Sequence, residues 1–364
     1  MQTINVQSLK HSYSIHVGSG LLSKSGTLLK KVFESRCRVM IVTQQTVPST
    51  HRKKIENSLR KAGFQLFFYC LPQGEKAKSE KELFKLIAAF LKNGFERGDA
   101  IVALGGGVTG DVSGFAAACY LRGIRYAQIP TTFLAQVDSS IGGKTAVNTP
   151  EGKNLVGAFN PPVIVISDVE ALKTLPEREL RAAMAEVIKY GVIADPKLFS
   201  FLEKNVRSIL TKNVSALTRI VYDSARIKAG VVSRDEFETK GERMILNYGH
   251  TFGHGVEGAL KYKKLVHGEA VALGMLMAAE MGTRLGLCTG DFQRRQLQLI
   301  RSFDLPVSLD RLGINTKTIF NVMAHDKKKK AGKLRFVLPE NVGRVSIVAD
   351  VENSAILSVI DSLF

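Results

Sequence analysis

The apolar positions follow two regimes along the chain. In the first half, short β-branched or aromatic runs alternate with amphipathic stretches. "RVMIVT" (38–43), "FQLFFYCL" (64–71), "AIVALGGG" (100–107), "RYAQIPTT" (125–132) and "VIVISD" (163–168) read as strands. Between them, "HRKKIENSLRKAG" (51–63), "SEKELFKLIAAFLKNGF" (79–95) and "DVSGFAAACYL" (111–121) carry helical spacing. Ser79 with Glu82 three residues on predicts a capped helix start. "INVQSLKHSYSIHVGSG" (4–20) predicts an N-terminal hairpin. From "LKTLPERELRAAMAEVIKYGVI" (172–193) onward strand signals fade and long helical segments take over, with Pro176 and the acidic residues after it opening the first. The alternation predicts an α/β domain over 1–172 with a mainly parallel sheet, followed by a mainly α-helical domain over 173–364.

Composition narrows the classes. The 364 residues are 45% hydrophobic and 23% charged, the balance of a globular protein. The apolar run "AVALGMLMAAEMG" (270–282) is cut by Glu280 and is too short to span a bilayer, so no membrane partner is expected. Four scattered cysteines form no CxxC pair, and a reducing cytoplasm is the expected setting. The net charge of +18 favours anionic partners. No basic stripe is interleaved with aromatics, so phosphorylated metabolites fit better than nucleic acid.

Three stretches carry the chemistry. "LGGGVTGD" (104–111) places Gly105, Gly107 and Gly110 in GxGxxG spacing between a strand and a helix, a Rossmann-like setting for a pyrophosphate. The acidic residue that usually holds the ribose is missing from the next strand; "LPQGEKAKSE" (71–80) offers Glu75 and Lys78 instead. Residues 130–162 form a long polar loop rich in glycine, with Asp138, Lys144, Lys153 and Asn154 suited to an anion. "LNYGHTFGHGVEG" (246–258) sets His250 and His254 at i, i+4 on one helix face, without the glutamate of a zincin motif. His267 follows, and Glu186 lies at the edge of an apolar helix face with Lys189 three residues on as a partner. Three histidines and a carboxylate suit a divalent cation such as zinc, and spacing leaves open which three bind it. Lys228, Arg243 and Asn247 add an anion pocket; Arg243 and Asn247 are expected on the same helical side as His250.

The segments "PQGEKAKS", "GGGVTGDVSGFAAACYLRG", "PTTFLAQVDSSIGGKTAVNTPEGKNLVGAF", "TLPERELRAAMAEVIKYGVI", "LNYGHTFGHGVE", "HGEAVALGM" and "HDKKKKAGKLRFVLP" occur in this order over most of the chain. Together they resemble the 3-dehydroquinate synthases, sugar phosphate cyclases of the shikimate pathway. The resemblance implies conversion of 3-deoxy-D-arabino-heptulosonate 7-phosphate to 3-dehydroquinate and phosphate. The steps implied are transient NAD-mediated oxidation, phosphate β-elimination, re-reduction and intramolecular aldol cyclisation. It also implies NAD and zinc or cobalt as cofactors. The implied metal ligands are Glu186, His250 and His267, with His254 a polar group at the substrate. Lys144, Asn154, Asn247 and either Lys327 or Lys328 match phosphate-binding positions. Lys228 and Arg243 match carboxylate-binding ones, and Asp138 and Lys189 would orient hydroxyls or relay protons. For NAD the matching positions are Gln44, Glu75, Lys78, Gly106, Gly107, Val108, Asp111, Thr131, Thr132, Lys144, Lys153 and Thr174. Arg122 matches an arginine that reaches the neighbouring subunit's site, which implies a homodimer. Two departures stand out: Gln44 replaces a usual Asp or Asn, and one extra residue before Arg243 loosens the match at Glu238. The nearest rival is a cyclase such as 2-deoxy-scyllo-inosose synthase, whose substrate lacks the carboxylate.

Overall fold

The computed structural model describes residues 1–329 and 334–364, with the backbone alone for 326–329. The chain divides into two compact units, 1–176 with 212–237, and 177–211 with 238–364.

The first unit is built on a seven-stranded sheet. Its strands are β1 (Gln2–Val6), β2 (Tyr13–Gly18), β3 (Arg38–Gln44), β4 (Gln65–Leu71), β5 (Ala100–Gly105), β6 (Arg125–Pro130) and, after the hairpin β7 (Lys144–Thr149) and β8 (Gly152–Phe159), β9 (Ile164–Asp168). The order is β1-β2-β9-β6-β5-β3-β4. Only β1–β2, the expected hairpin, is antiparallel. Alternation along β3 explains the layers. Val39 and Ile41 face one core with Ile55 and Leu59, whereas Met40 and Val42 face another with Leu86, Phe90 and Val112. Helices α1 (Ser25–Leu29) and α2 (Ser49–Lys61) supply the first layer, α3 (Glu80–Lys92) and α4 (Gly107–Cys119) the second. The fully buried β5 therefore reads as a continuous apolar run. The predicted cap is present: Glu82 N–H donates to Ser79 Oγ.

The second unit begins with α5 (Glu177–Ala194) and α6 (Pro196–Leu210). The next helix, α7 (Val214–Arg234), belongs to the first unit, where it packs on β1 and β2. A single cut at 172/173 places α7 in the wrong unit, because a helix's own sequence does not say which neighbour receives its apolar face. The second unit continues with α8 (His250–Ala259), α9 (His267–Arg284), α10 (Gly290–Ser302) and α11 (Thr316–Lys329). It closes with a hairpin of β10 (Arg335–Asn341) and β11 (Arg344–Ala349), which the fading strand signal does not anticipate, and with α12 (Asn353–Asp361). No described helix is long and apolar enough to cross a membrane.

Candidate functional site

In the first unit the glycine stretch ends β5 and opens α4, with Gly106 at the N-cap and no side-chain cap on the leading N–H groups. The glycines leave room for close packing. A Cβ on Gly110 would lie 2.5 Å from Gln128 Oε1, and one on Gly106 would lie 3.0 Å from Thr132 Cγ2. The helix thus seats close to β6 and leaves its positive end bare for an anion. Val108 follows in the first turn, and Asp111, one turn further, is ion-paired with the buried Lys78. Burial pushes the Asp111 carboxyl up to about 6 against the pull of Lys78. Thr131 N–H donates to Gly105 O, and Thr132 Oγ1 accepts from Ala135 N–H.

The span 130–162 is not one long loop. It folds into a π-helical turn, Ala135–Ser139, and the β7–β8 hairpin. The turn presents Asp138 to Lys228 of α7, whose Nζ stands 2.9 Å from both Asp138 Oδ2 and the Asp138 carbonyl oxygen. Lys144 opens β7, and Lys153 and Asn154 stand exposed on β8. Asn148, to which sequence reasoning assigns no role, ties this hairpin to the Glu75 turn. Its Nδ2 donates to Glu75 Oε1 (2.7 Å), its Oδ1 accepts from Asn154 N–H (3.0 Å), and its N–H donates to Lys78 O (2.9 Å). Asn154 is held at φ +60°, in the left-handed region.

Two candidate cofactor contacts are already engaged. Gln44 Nε2 donates to Pro72 O at 2.6 Å. Thr174 Oγ1 donates to Ala171 O and meets His51 Nε2 at 3.0 Å. Arg122 is exposed at φ +68° beside Leu121 at φ +49°, and its guanidinium forms no ion pair among the described residues.

In the second unit, α5, α8 and α9 bring Glu186, His250 and His267 together. Glu186 Oε1 lies 3.3 Å from His250 Nε2 and 3.5 Å from His267 Nε2. All three ligand atoms fall within 4.8 Å of one another. Four-coordinate zinc with bonds of roughly 2.0–2.1 Å sets its ligands about 3.4 Å apart, so this cluster fits a small divalent cation. The donor chemistry fits as well. His250 Nδ1 is 3.2 Å from Tyr248 O, which can only accept, so the proton sits on Nδ1 and Nε2 is free to ligate. The buried Glu186 Oε2 accepts no aligned hydrogen bond, although Lys189 Nζ stands against it as the i, i+3 partner expected. Burial opposes ionisation of Glu186, yet Lys189 and His250 outweigh it and hold the carboxyl well below its usual range.

His254 shares the face of His250, the ring centroids 5.5 Å apart, and is exposed. Glu257, quoted in the motif without a role, forms a second potential ligand group with His254 and His267. Its signal was the spacing 250, 254, 257, which puts all three on one helix face. Arg243 and Asn247 do not continue that helix. They lie on a 3-10 turn, Glu242–Asn247, separated from α8 by Gly249 at φ +79°. Arg243 is buried there, and Glu238 adopts φ +60° ahead of the turn. The side chains of Lys327 and Lys328 lie outside the described residues.

Burial alone would push His267 down, but its hydrogen bonds to Glu186 and Glu257 and their charges raise it to about 10. The unfolded chain has the ordinary value of 6.5, so the folded state binds this proton more tightly. Its stabilising contribution is complete below about 6.5 and is lost as pH rises through about 10. Chelator-stripped protein should therefore show a melting temperature that falls across that window. A cation held at His267 Nε2 would displace that proton, so cation-loaded protein should lack this fall. The ring is 36% exposed, so solvent screens part of the effect.

Comparison with known proteins places the whole chain. Family models described as 3-dehydroquinate synthase N-terminal and C-terminal match residues 68–182 and 183–329. A 3-dehydroquinate synthase of Desulforamulus reducens is 45% identical over 360 residues, 99% of each chain. Among solved structures, a 2-deoxy-scyllo-inosose synthase complexed with carbaglucose-6-phosphate, NAD+ and Co2+ superposes with TM-score 0.90 at 28% identity over all of both chains. A 2-epi-5-epi-valiolone synthase from Streptomyces hygroscopicus, with NAD+ and Zn2+ bound, gives 0.88 at 28% over 98% of each.

Proposed function

The chain belongs to the 3-dehydroquinate synthase family, and from that premise we propose how its residues divide the work. The reaction is conversion of 3-deoxy-D-arabino-heptulosonate 7-phosphate to 3-dehydroquinate and phosphate. The observation that carries the assignment of the site is Glu186 Oε1 facing two histidine Nε2 atoms at cation-binding separations. The cyclases that share the fold at 28% identity are the alternative, and the 45% identity to a 3-dehydroquinate synthase weighs against them.

When bound, NAD supplies a hydride acceptor and donor and a divalent zinc or cobalt ion a Lewis acid for substrate hydroxyl oxygens. Glu186, His250 and His267 hold the cation, and Lys189 offsets the Glu186 charge. His254 and Asn247 hydrogen-bond the substrate, Arg243 takes its carboxylate, and a lysine at 327 or 328 meets its phosphate. In the first unit, Gly106, Gly107 and Val108 present N–H groups to the pyrophosphate, with Thr131 and Thr132 beside them. Glu75, Lys78, Asp111, Gln44, Lys153 and Thr174 hold the rest of the dinucleotide. Asn148 and His51 support Glu75 and Thr174 through the bonds described. Lys144 and Asn154 serve the phosphate. Lys228 serves the carboxylate and, at 2.9 Å, holds Asp138 in place to orient a hydroxyl.

The partner proposed is a second copy of the chain. Left-handed backbone at two successive non-glycine residues is costly, and here it presents outward an arginine, Arg122, that forms no ion pair among the described residues. Among the described residues β8 pairs only with β7, and it exposes Leu155 and Val156, an edge that proteins normally cover.

One assay tests the reaction. Given the heptulosonate phosphate, catalytic NAD and zinc or cobalt, the chain should release phosphate and dehydroquinate in equal amounts, and a chelator should stop both. Steady accumulation of reduced nicotinamide would instead identify a dehydrogenase.

A further inference from the structure

We propose that Glu257 is a positioning residue: it fixes the tautomer of His267 and directs Nε2, rather than Nδ1, toward the cation shared with Glu186 and His250. This rests on the metal assignment above.

His267 lies between two carboxylates. Its Nδ1 is 3.2 Å from Glu257 Oε2 and its Nε2 is 3.5 Å from Glu186 Oε1. A cation can use only one of these nitrogens, and the other must keep its proton. The two histidines settle that choice by different means. His250 keeps its Nδ1 proton on a backbone carbonyl, Tyr248 O, which any sequence would supply. His267 is the first residue of α9, and the acceptor for its Nδ1 is a side chain from another helix. That side chain is nearly buried, with Glu257 7% exposed among Phe252, Gly253, Gly255 and Val256. A carboxylate in such a place is costly unless it is hydrogen-bonded. Its reach is set by close helix packing, since a Cβ on Gly253 would sit 3.0 Å from Ala270 O. A carboxylate that accepts from Nδ1–H locks the ring's rotation and makes Nε2 a better donor. The same geometry permits one rival, in which Glu257, His254 and His267 are themselves the ligands.

The full-length chain, stripped with chelator and titrated with Co2+, separates these cases. Glu257→Ala should weaken cobalt binding by about 10–100-fold and alter the visible spectrum of the bound ion. Glu257→Gln keeps a carbonyl acceptor for Nδ1–H and should recover most of that affinity. A merely structural role would lower the melting temperature of the stripped protein and leave the cobalt affinity and spectrum of Glu257→Gln and Glu257→Ala as in the unsubstituted chain; that result overturns the proposal. Loss of cobalt in both Glu257 variants and in His254→Ala would overturn it in favour of the rival. His250→Ala serves as the separate control. If that variant also binds cobalt normally, the metal assignment itself fails. If it loses cobalt while Glu257→Ala keeps full affinity, only the role of Glu257 fails.

Discussion

His250→Ala should lose the bound cation, whereas His254→Ala should keep it and lose turnover. Both residues lie on one face of α8 with rings 5.5 Å apart, and helical spacing treats them alike. Their surroundings differ. His250 Nε2 points at Glu186 Oε1 from 3.3 Å and its Nδ1 proton is placed on Tyr248 O. Tyr248 is itself fixed, its hydroxyl donating to Gln296 Oε1 at 2.6 Å and Gln296 Nε2 donating to Met275 O. These bonds hold the proposed ligand in place. Removing one of three proposed protein ligands leaves only Glu186 and His267 to hold the ion and should cost the chain most of its zinc or cobalt. His254 is exposed one turn on, which suits a group that meets substrate. Its loss should lower kcat by about 10²–10⁴-fold, the scale of a positioned proton donor or acceptor, at unchanged metal content. Elemental analysis of the two variants, with turnover measured at saturating cation, checks both halves. Equal loss of metal would return both histidines to the ligand set.

Much of this site was legible in the sequence, and what was missed has identifiable causes. Patterning places the strands of the parallel sheet, because their buried faces read as short apolar runs. The same signal fails for β8, where Lys153 to Gly157 are all exposed and nothing alternates. It fails for β10 and β11, a two-stranded hairpin whose register shifts between Pro339 and Asn341. Arg243 and Asn247 were expected on the helix of His250, and the left-handed turn at Gly249 separates them. Glycine in the motif could have signalled that break. The Asn148 bridge and the Glu257–His267 contact depend on which elements pack together, and neither residue looks unusual in one dimension. Resemblance to a family implies a ligand set without implying these supports.

Gly268→Ala should disable the metal site from outside it. Gly268 follows His267 directly in the first turn of α9, and a Cβ there would lie 1.8 Å from Ala182 O and 2.5 Å from its carbonyl carbon. Ala182 stands one turn before Glu186 on α5, so the methyl would press on the backbone next to the carboxylate that His267 must meet. Neither side can yield locally, since the obstruction is main chain rather than the end of a flexible side chain. The helices must separate, and a shift of even a few tenths of an ångström spoils the 3.5 Å approach of His267 Nε2 to Glu186 Oε1. Overpacking of this kind costs on the order of 3 kcal/mol. The expected result is a clear drop in melting temperature together with weaker cation binding, read by the denaturation midpoint and cobalt titration. Gly290→Ala is the matched control: it begins α10, where the nearest atom to the new Cβ is a flexible Arg294 side chain at 4.0 Å, and it should alter neither. A Gly268→Ala chain with normal stability and normal cobalt affinity would mean that α9 can move off α5 without disturbing His267. The precision of the three-ligand cluster would then have to come from the α8 side alone, through Glu257 and Tyr248.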